Sequence, residues 1–182
     1  QRFHHGVFID TQFARRHGRA AAIFIVVKIR REFNLGGAQR EHCTVSCLIV
    51  DVDRLQSVND ELGYGAGDRV LQELASRIES QVRASDAAAR IGSDAFVVVL
   101  PATEAAQAAP LARRILDAVR SGPVDTGAGQ LRDLRVSIGV AGCRPQGGHE
   151  RKSLADQLLA DAMAALHRAK RAGGDGFEIQ AE

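Results

Sequence analysis

A short apolar run that ends in two carboxylates constrains the fold of this chain more than any other feature. Residues 45–50 form the run, and Asp51-Val52-Asp53 follows it directly. A run of this length predicts a buried strand that carries its acidic residues at the tip. Because the two aspartates flank a single residue, their side chains leave opposite faces, and only one can point into a given cleft.

The segments after this strand predict an α+β domain. Residues 63–68 are expected to form a turn with Asp68 as a helix N-cap, and apolar residues then recur at helical spacing as far as Val82. The predicted order is strand, helix, hairpin, helix, strand, helix, strand, a variant of the ferredoxin-like plan. The later elements are a hairpin around 92–95, a helix over about 104–121, a strand over 134–141, a helix over about 153–171 and a strand over 177–180.

Residues 1–44 are expected to form a helical or irregular lead-in, and residues 45–182 the folded domain. Apolar residues over 21–33 fit a helical stripe, which the Asn-Leu-Gly-Gly sequence at 34–37 would end. The β-branched run at 23–27 favours a strand, so helix is the preferred of two interpretations. The chain starts with Gln1 and stops just after a strand pattern, which suggests a domain cut from a longer protein.

Composition argues against several partners. The 24 basic and 22 acidic residues nearly balance, without the basic stripe that binds a polynucleotide backbone. The longest apolar run, at 20–27, is far shorter than the roughly 20 residues that cross a bilayer, so neither a membrane span nor a signal peptide is expected. Cys43, Cys47 and Cys143 form neither an even-numbered disulfide framework nor a zinc pattern, so we expect reduced thiols in a cytoplasmic protein.

Several short motifs follow one another in a fixed order, and together they are more specific than any single one. They resemble the GGDEF family of diguanylate cyclases from about Val45 to Glu178, with the signature loop changed to Gly-Ser-Asp-Ala-Phe. The resemblance implies a palm-type antiparallel sheet flanked by helices. It also implies that each subunit holds one GTP and that two subunits face each other to make cyclic di-GMP. The motifs lie at 51–60, 63, 67–68, 90–96, 136–140, 160–161 and 169–170.

The resemblance assigns a metal site to the tip of the first core strand. Asp51 would bind Mg²⁺ with help from the Val52 carbonyl, and Asp94 would bind metal and help to activate the attacking hydroxyl. Mg²⁺ uses few carboxylates and leaves the rest of its shell to phosphate and water, so the ion is expected only if GTP binds. From the Asp51 and Asp53 pair alone, capping of the following turn is an equal alternative.

A guanine site is the second implication of the resemblance. Asn59 and Asp68 would read the guanine edge, and Lys170 would contact GTP. An amide and a carboxylate complement the acceptors and N–H donors of that edge in opposite senses. The residues alone leave two alternatives open, in which Asn59 is a turn residue and Asp68 a helix N-cap.

The family pattern is broken where catalysis is expected. Ser93 replaces the second Gly of the signature loop, and Ala95 replaces its Glu. Gln56 stands where a phosphate-binding Lys is common, and Gly174 stands where a terminal Gly-Arg-Asn has its Arg. Removing one preorganised electrostatic group commonly costs about 10²-fold or more in rate. Four such changes should leave little activity, although their effects are not additive.

A separate Arg-x-x-Asp motif lies just before the signature loop. Arg83 and Asp86 form it, and Arg114 falls where a neighbouring helix supplies another Arg in the family. The resemblance implies an inhibitory site that binds cyclic di-GMP. A guanidinium can take guanine O6 and N7 in a fork, while Asp86 accepts from the other edge. The alternative is a solvated helix end with a local Arg–Asp pair of little energetic value.

The leading hypothesis is a degenerate GGDEF domain that is weak or inactive as an enzyme. It would bind cyclic di-GMP at the Arg-x-x-Asp site and GTP in the former active site, form a homodimer and regulate an attached domain. One alternative is an active diguanylate cyclase that tolerates the changes. Another is a dimerisation scaffold that binds no nucleotide.

Overall fold

The computed structural model describes residues 7–8, 44–144 and 151–180. This part of the chain contains eight strands and four helices. The strands are β1 Val7–Phe8, β2 Val45–Val52, β3 Ala87–Ile91, β4 Ala95–Pro101, β5 Val124–Asp125, β6 Gln130–Leu131, β7 Val136–Cys143 and β8 Phe177–Ile179. The helices are α1 Leu55–Leu62, α2 Tyr64–Glu79, α3 Ala105–Arg120 and α4 Arg151–Arg171.

The described strands form a sheet in the order β1-β3-β4-β2-β7-β8, with a small separate hairpin of β5 and β6. The four inner strands are antiparallel to one another, in the order β3, β4, β2 and β7. The edge strands β1 and β8 pair in parallel with β3 and β7. The predicted α+β fold, a sheet flanked by helices, is confirmed, and the parallel edge strands make that sheet mixed.

Strand β2 lies at the centre of the sheet and is buried along its whole length. Its side chains alternate between two cores because successive residues of a strand face opposite sides. Leu48 and Val50 belong to the core under α2 and α3, while Cys47 and Ile49 belong to the core that contains Leu158 of α4. The apolar run thus became a buried strand because it supplies apolar side chains to both faces.

Helix α4 lies directly against the backbone of β7. A Cβ atom at Gly139 would stand 2.0 Å from the carbonyl oxygen of Ala162 and 2.3 Å from the backbone nitrogen of Leu166. Only a residue without a side chain allows this approach. The close contact fixes the height of α4 over the sheet, and with it the place of Lys170 near the helix end.

Helices α2 and α3 are fastened together by Arg77, whose side chain is 11% exposed. Its guanidinium donates to the carbonyl oxygens of Ala118, Val119 and Gly122, the last at 3.0 Å, and its Nε donates to Glu73 at 2.8 Å. Arg77 therefore caps the carboxyl-terminal end of α3, where helix carbonyls lack partners within the helix.

The predicted turn at 63–68 and the predicted N-cap at Asp68 were both wrong. Helix α2 begins at Tyr64, so Asp68 lies within the helix. Helix α1, which precedes it, was not predicted. The N-cap position of α2 is Gly63, with a φ of 84°. Of the glycines that suggested a turn, Gly67 lies inside the helix because the neighbouring Asn59 side chain occupies the space that a Cβ would need.

Other expectations meet the structure only in part. Most later elements lie close to their predicted bounds, namely the hairpin of β3 and β4, helix α3, strand β7, helix α4 and strand β8. The hairpin of β5 and β6 was not predicted. Cys47 and Cys143 are free thiols. The predicted helical stripe at 21–33 lies outside the described residues. No helix within the described part of the chain is long and apolar enough to cross a membrane.

Candidate active site

The tip of β2 holds a buried carboxylate paired with a lysine. Asp51 is 8% exposed, and the ammonium group of Lys170 on α4 donates a hydrogen bond to its Oδ1. Burial raises the pKa of Asp51, the bond and charge of Lys170 act in the opposite direction, and the charges of Asp94 and Asp53 raise it further. Asp51 is therefore a carboxylate whose charge is costly in the absence of a further cation.

Asp53 hydrogen-bonds to the loop that follows α4. Its Oδ1 accepts a hydrogen bond from the Ser137 hydroxyl at 2.7 Å, and its Oδ2 accepts one from the Asp175 backbone N–H at 2.8 Å. Gly174 lies beside it with a φ of 74°, and a Cβ there would stand 3.0 Å from Asp53 Oδ2. Asp53 thus clamps the segment in which the family pattern has its arginine.

The turn between β3 and β4 brings Asp94 to the tip of β2. The Val52 N–H lies 3.5 Å from the Asp94 carbonyl oxygen, and the Ser93 hydroxyl donates to Asp94 Oδ1 at 3.1 Å. Ala95 is the residue directly opposite Asp51 in the β2–β4 ladder and is 7% exposed. Opposite residues of an antiparallel pair place their side chains on the same face, about 4.5–5.5 Å apart at Cβ. A methyl group therefore occupies the site of the signature carboxylate.

Beside this tip, α1, α2 and the hairpin turn enclose a cleft of about 350 Å³. It brings Asn59, Asp68 and Asp94 together, as the motif order implied. The Asn59 side chain packs against Gly67, where a Cβ would stand 1.9 Å from Asn59 Oδ1. The remaining lining residues are Leu55, Gln56, Tyr64, Leu71, Arg90 and Ser93.

Sequence reasoning did not select Arg90 or Tyr64, both of which line the cleft. Arg90 is 7% exposed, and its guanidinium donates to the Ser93 carbonyl oxygen, which ties the hairpin turn to β3. Its position next to the signature loop was the available signal. Tyr64 lies in the glycine-rich stretch that was predicted to be a turn. It was therefore not recognised as the first residue of a helix.

The donor set fits Mg²⁺ only together with phosphate. Within the described residues, no group of three or more His, Cys, Asp or Glu is placed to hold a metal ion. Asp51 is paired with Ala95, and Asp94 adjoins Ala95, so both aspartates belong to the same end of the β2–β4 pair. Mg²⁺ is commonly held by one or two carboxylates plus substrate phosphates and water.

The Arg-x-x-Asp motif forms a tight turn before β3. Asp86 is 6% exposed and accepts hydrogen bonds from the Arg83 backbone N–H at 2.9 Å and from the Ser85 hydroxyl at 3.2 Å. Arg83 is exposed. Arg114 on α3 donates to the carbonyl oxygen of Gln81 at 2.9 Å, and Gln81 lies two residues before Arg83 in the chain. The carboxylate shapes this turn, while both arginines stand at the surface.

The fold is thus an α+β domain whose mixed sheet places a carboxylate at the tip of its central strand, beside a polar cleft. The sequence model described as "Diguanylate cyclase, GGDEF domain" matches residues 26–176. The chain therefore belongs to the GGDEF family. The matched segment begins before residue 45, inside the expected lead-in.

Characterised relatives give the same family. The chain is 36% identical over 148 residues to MucR of Pseudomonas aeruginosa, a bifunctional diguanylate cyclase/cyclic di-GMP phosphodiesterase, covering 81% of this chain and 21% of MucR. It is 35% identical over 130 residues to the response regulator PleD of Caulobacter vibrioides, covering 71% of this chain and 28% of PleD. The GGDEF domain of DgcB from Caulobacter crescentus, solved in complex with c-di-GMP, has a TM-score of 0.74 at 26% identity and covers 89% of this chain and 90% of that one.

Proposed function

We propose that this chain is a degenerate GGDEF domain that binds guanine nucleotides, makes cyclic di-GMP weakly or not at all, and regulates an attached domain. The family is enzymatic, so weak turnover by this member is the specific claim. The observation that carries it is Ala95, a buried methyl group directly opposite Asp51. The chain spans only 21% of the length of MucR, which supports an attached domain.

Retained cleft residues support GTP binding. Asn59 and Asp68 line one cleft and offer an amide and a carboxylate to a guanine edge. Asp51, Asp94 and the Val52 carbonyl would hold Mg²⁺ against the triphosphate, where the ion would neutralise phosphate charge. Lys170 would exchange its contact with Asp51 for a phosphate oxygen when the metal takes over that carboxylate.

The weakness of catalysis follows from the groups that are missing. Ala95 removes a carboxylate, and Gln56, exposed on α1, offers no positive charge to a phosphate. Gly174 also contributes no positive charge. Of the proposed phosphate-binding cations, Lys170 alone remains. Phosphoryl transfer depends on positioned charge rather than on covalent chemistry, so these losses reduce the rate more than they reduce binding.

A turnover assay tests the first part of the proposal. With GTP and Mg²⁺, the wild-type chain should yield almost no cyclic di-GMP, and Asp94→Ala should not lower the yield further. Robust turnover that Asp94→Ala abolishes would show an active cyclase. Because a cyclase joins two GTPs across two subunits, the assay is run over a range of protein concentrations and the oligomeric state is measured in parallel.

Calorimetric titration tests the second part. GTP should bind weakly, more tightly with Mg²⁺ than without, and more tightly than ATP. Asn59→Ala should remove the preference for GTP, because it deletes the amide proposed to read the base. Equal binding of GTP and ATP, or binding of neither at millimolar concentration, would contradict the guanine assignment.

The surface turn supports binding of cyclic di-GMP at Arg83, Asp86 and Arg114. Asp86 holds the turn that displays Arg83, and the Gln81 carbonyl oxygen holds Arg114 near it. Two exposed guanidinium groups can grip guanine edges and stack on bases. Asp86 would then contribute mainly by shaping the turn, with further lone pairs left for a base N–H.

Four variants decide where cyclic di-GMP binds. Arg83→Ala should weaken binding most, by about 1–3 kcal/mol, and Arg114→Ala should weaken it less. Arg113→Ala is the matched control. Arg113 is the neighbour of Arg114 in sequence, but its guanidinium packs over the Phe177 ring, 5.8 Å from the centroid, and is not part of the proposed site. Asp94→Ala should leave the affinity unchanged. Loss of binding only in Asp94→Ala would place the ligand in the former active site, and no binding by wild type would favour a scaffold.

A further inference from the structure

Tyr64 is the most exposed large apolar side chain in the described part of the protein. It is 80% exposed, whereas Leu62, the next such residue, is 38% exposed. A single exposed aromatic residue is not unusual by itself. The exposure of Tyr64 points to a function because this residue lines the cleft that contains Asn59 and Asp68.

Helix geometry places Tyr64 on the same face of α2 as Asp68, a residue of the proposed base site. Tyr64 is the first residue of α2, so Gly67 and Asp68 follow it at i+3 and i+4 on the same helix face. The preceding Gly63 donates its N–H to the Asn59 carbonyl oxygen at 2.9 Å, which links the start of α2 to the residue that would read the base edge. The ring is thus held near the mouth of the cleft by the same backbone that positions Asn59.

We propose that Tyr64 is the stacking platform for the nucleobase, covering one face of a purine whose edge meets Asn59 and Asp68. This inference rests on the proposed GTP site and adds to it the residue that recognises the base face. An aromatic ring stacks on any base, because every base has a π face. Tyr64 therefore supplies affinity for purine nucleotides, and Asn59 and Asp68 supply the choice of guanine.

The composition of the chain allows a direct test. Tyr64 is its one tyrosine, and it has no tryptophan. Selective isotopic labelling of tyrosine therefore gives the ring signals of Tyr64 alone in an NMR spectrum. Stacking on a base shifts such signals through the ring current of the base, whereas a purely structural role for Tyr64 predicts no such shift.

The experiment combines this spectrum with calorimetry of wild type, Tyr64→Phe, Tyr64→Ala and Asn59→Ala, using GTP and ATP with Mg²⁺. GTP should shift the Tyr64 ring signals of wild type. Tyr64→Ala should bind GTP about five- to tenfold more weakly, at the lower end of what base stacking contributes. Tyr64→Phe should retain most of the affinity, and the GTP-to-ATP ratio should change in Asn59→Ala only.

The outcomes separate the two proposals. If wild type binds no GTP, the proposed site and the stacking role both fail. If wild type binds GTP while the Tyr64 signals stay in place and Tyr64→Ala binds normally, the GTP site stands and the stacking role is wrong. If Tyr64→Ala and Tyr64→Phe are equally weakened, the hydroxyl group and not the ring face makes the contact, which also overturns stacking.

Discussion

The side chain of Asn59 occupies the space that a Cβ atom of residue 67 would need, with Asn59 Oδ1 only 1.9 Å from that position. The contact joins α1 to α2 at the floor of the cleft. It also explains why a glycine is kept inside a helix, where it costs roughly 1 kcal/mol relative to alanine. Asn59 keeps its orientation only while residue 67 has no side chain.

The first prediction compares two glycines of α2. Gly67→Ala should displace Asn59 and weaken GTP binding at least tenfold, whereas Gly65→Ala meets nothing within 4 Å and should leave binding unchanged. Gly65→Ala should also stabilise the helix by up to about 1 kcal/mol. Calorimetry and urea denaturation of both variants check this, and equal GTP affinities would contradict the role of the contact.

A second prediction concerns the charge at the tip of β2. Burial raises the pKa of Asp51, so the folded chain keeps this proton to a higher pH than the unfolded chain does. The contribution of Asp51 to the free energy of unfolding therefore falls as pH rises from the ordinary aspartate pKa to the raised one. Asp51→Asn should be more stable than wild type at neutral pH, by about 0.5–2 kcal/mol, a range typical of such replacements.

Urea denaturation over a pH series measures this effect. The stability difference between Asp51→Asn and wild type should vanish below the ordinary aspartate pKa, where both side chains are neutral. Asp133→Asn, which alters an exposed carboxylate, is the control. A variant that is less stable than wild type at neutral pH would mean that the contact with Lys170 outweighs the cost of burial.

The third prediction restores the missing carboxylate. Ala95→Glu places a second acid beside Asp51, where like charges directly opposite in a sheet destabilise it. The variant should lose about 1–3 kcal/mol of stability without Mg²⁺ and should bind Mg²⁺ and GTP more tightly than wild type. Ala95→Gln has the same size without the charge, so a thermal melt and a titration of both variants separate charge from volume. Equal behaviour of the two would show that charge is irrelevant at this position.

The fourth prediction concerns the joint between α2 and α3. Arg77→Ala leaves several helix-end carbonyls without their donor and should cost about 2–3 kcal/mol, since hydrogen bonds to charged groups are strong and their loss leaves buried acceptors. Arg135→Ala is the control, because Arg135 is 52% exposed and pairs with an exposed Asp133. Such exposed pairs contribute little to stability. Similar losses in the two variants would contradict the capping role of Arg77.

The sequence predicted the elements that carry strong local signals. Strand β2 was recognisable because an unbroken apolar run feeds two cores at once. Helix α1 was not, because it has few apolar residues and its N-cap residue, Arg54, has a φ of 57° and makes no side-chain capping bond. A start without a capping side chain gives no sequence signal. The start of α2 was misplaced for a related reason, since Gly67 serves a contact with Asn59 that only the folded chain reveals.

For the candidate site, too, the sequence predicted which residues take part but not how they contact one another. Asp51, Asn59, Asp68, Asp94 and Lys170 were named from motif order, and the structure gathers them around one strand tip and one cleft. The pairing of Lys170 with Asp51 joins residues far apart in sequence, so no local pattern predicts it. The place of Tyr64 depends on how α1 meets α2, which is a tertiary relationship.

The contact of Asp53 with the loop after α4 leaves little room for a side chain at residue 174. A side chain at residue 174 would meet Asp53 Oδ2 at 3.0 Å and take up a φ of 74°, which costs a residue with a Cβ roughly 1–2 kcal/mol. An arginine introduced at this position would therefore destabilise the chain before it could contact a phosphate. A single substitution at residue 174 is thus a costly way to add positive charge to the proposed nucleotide site.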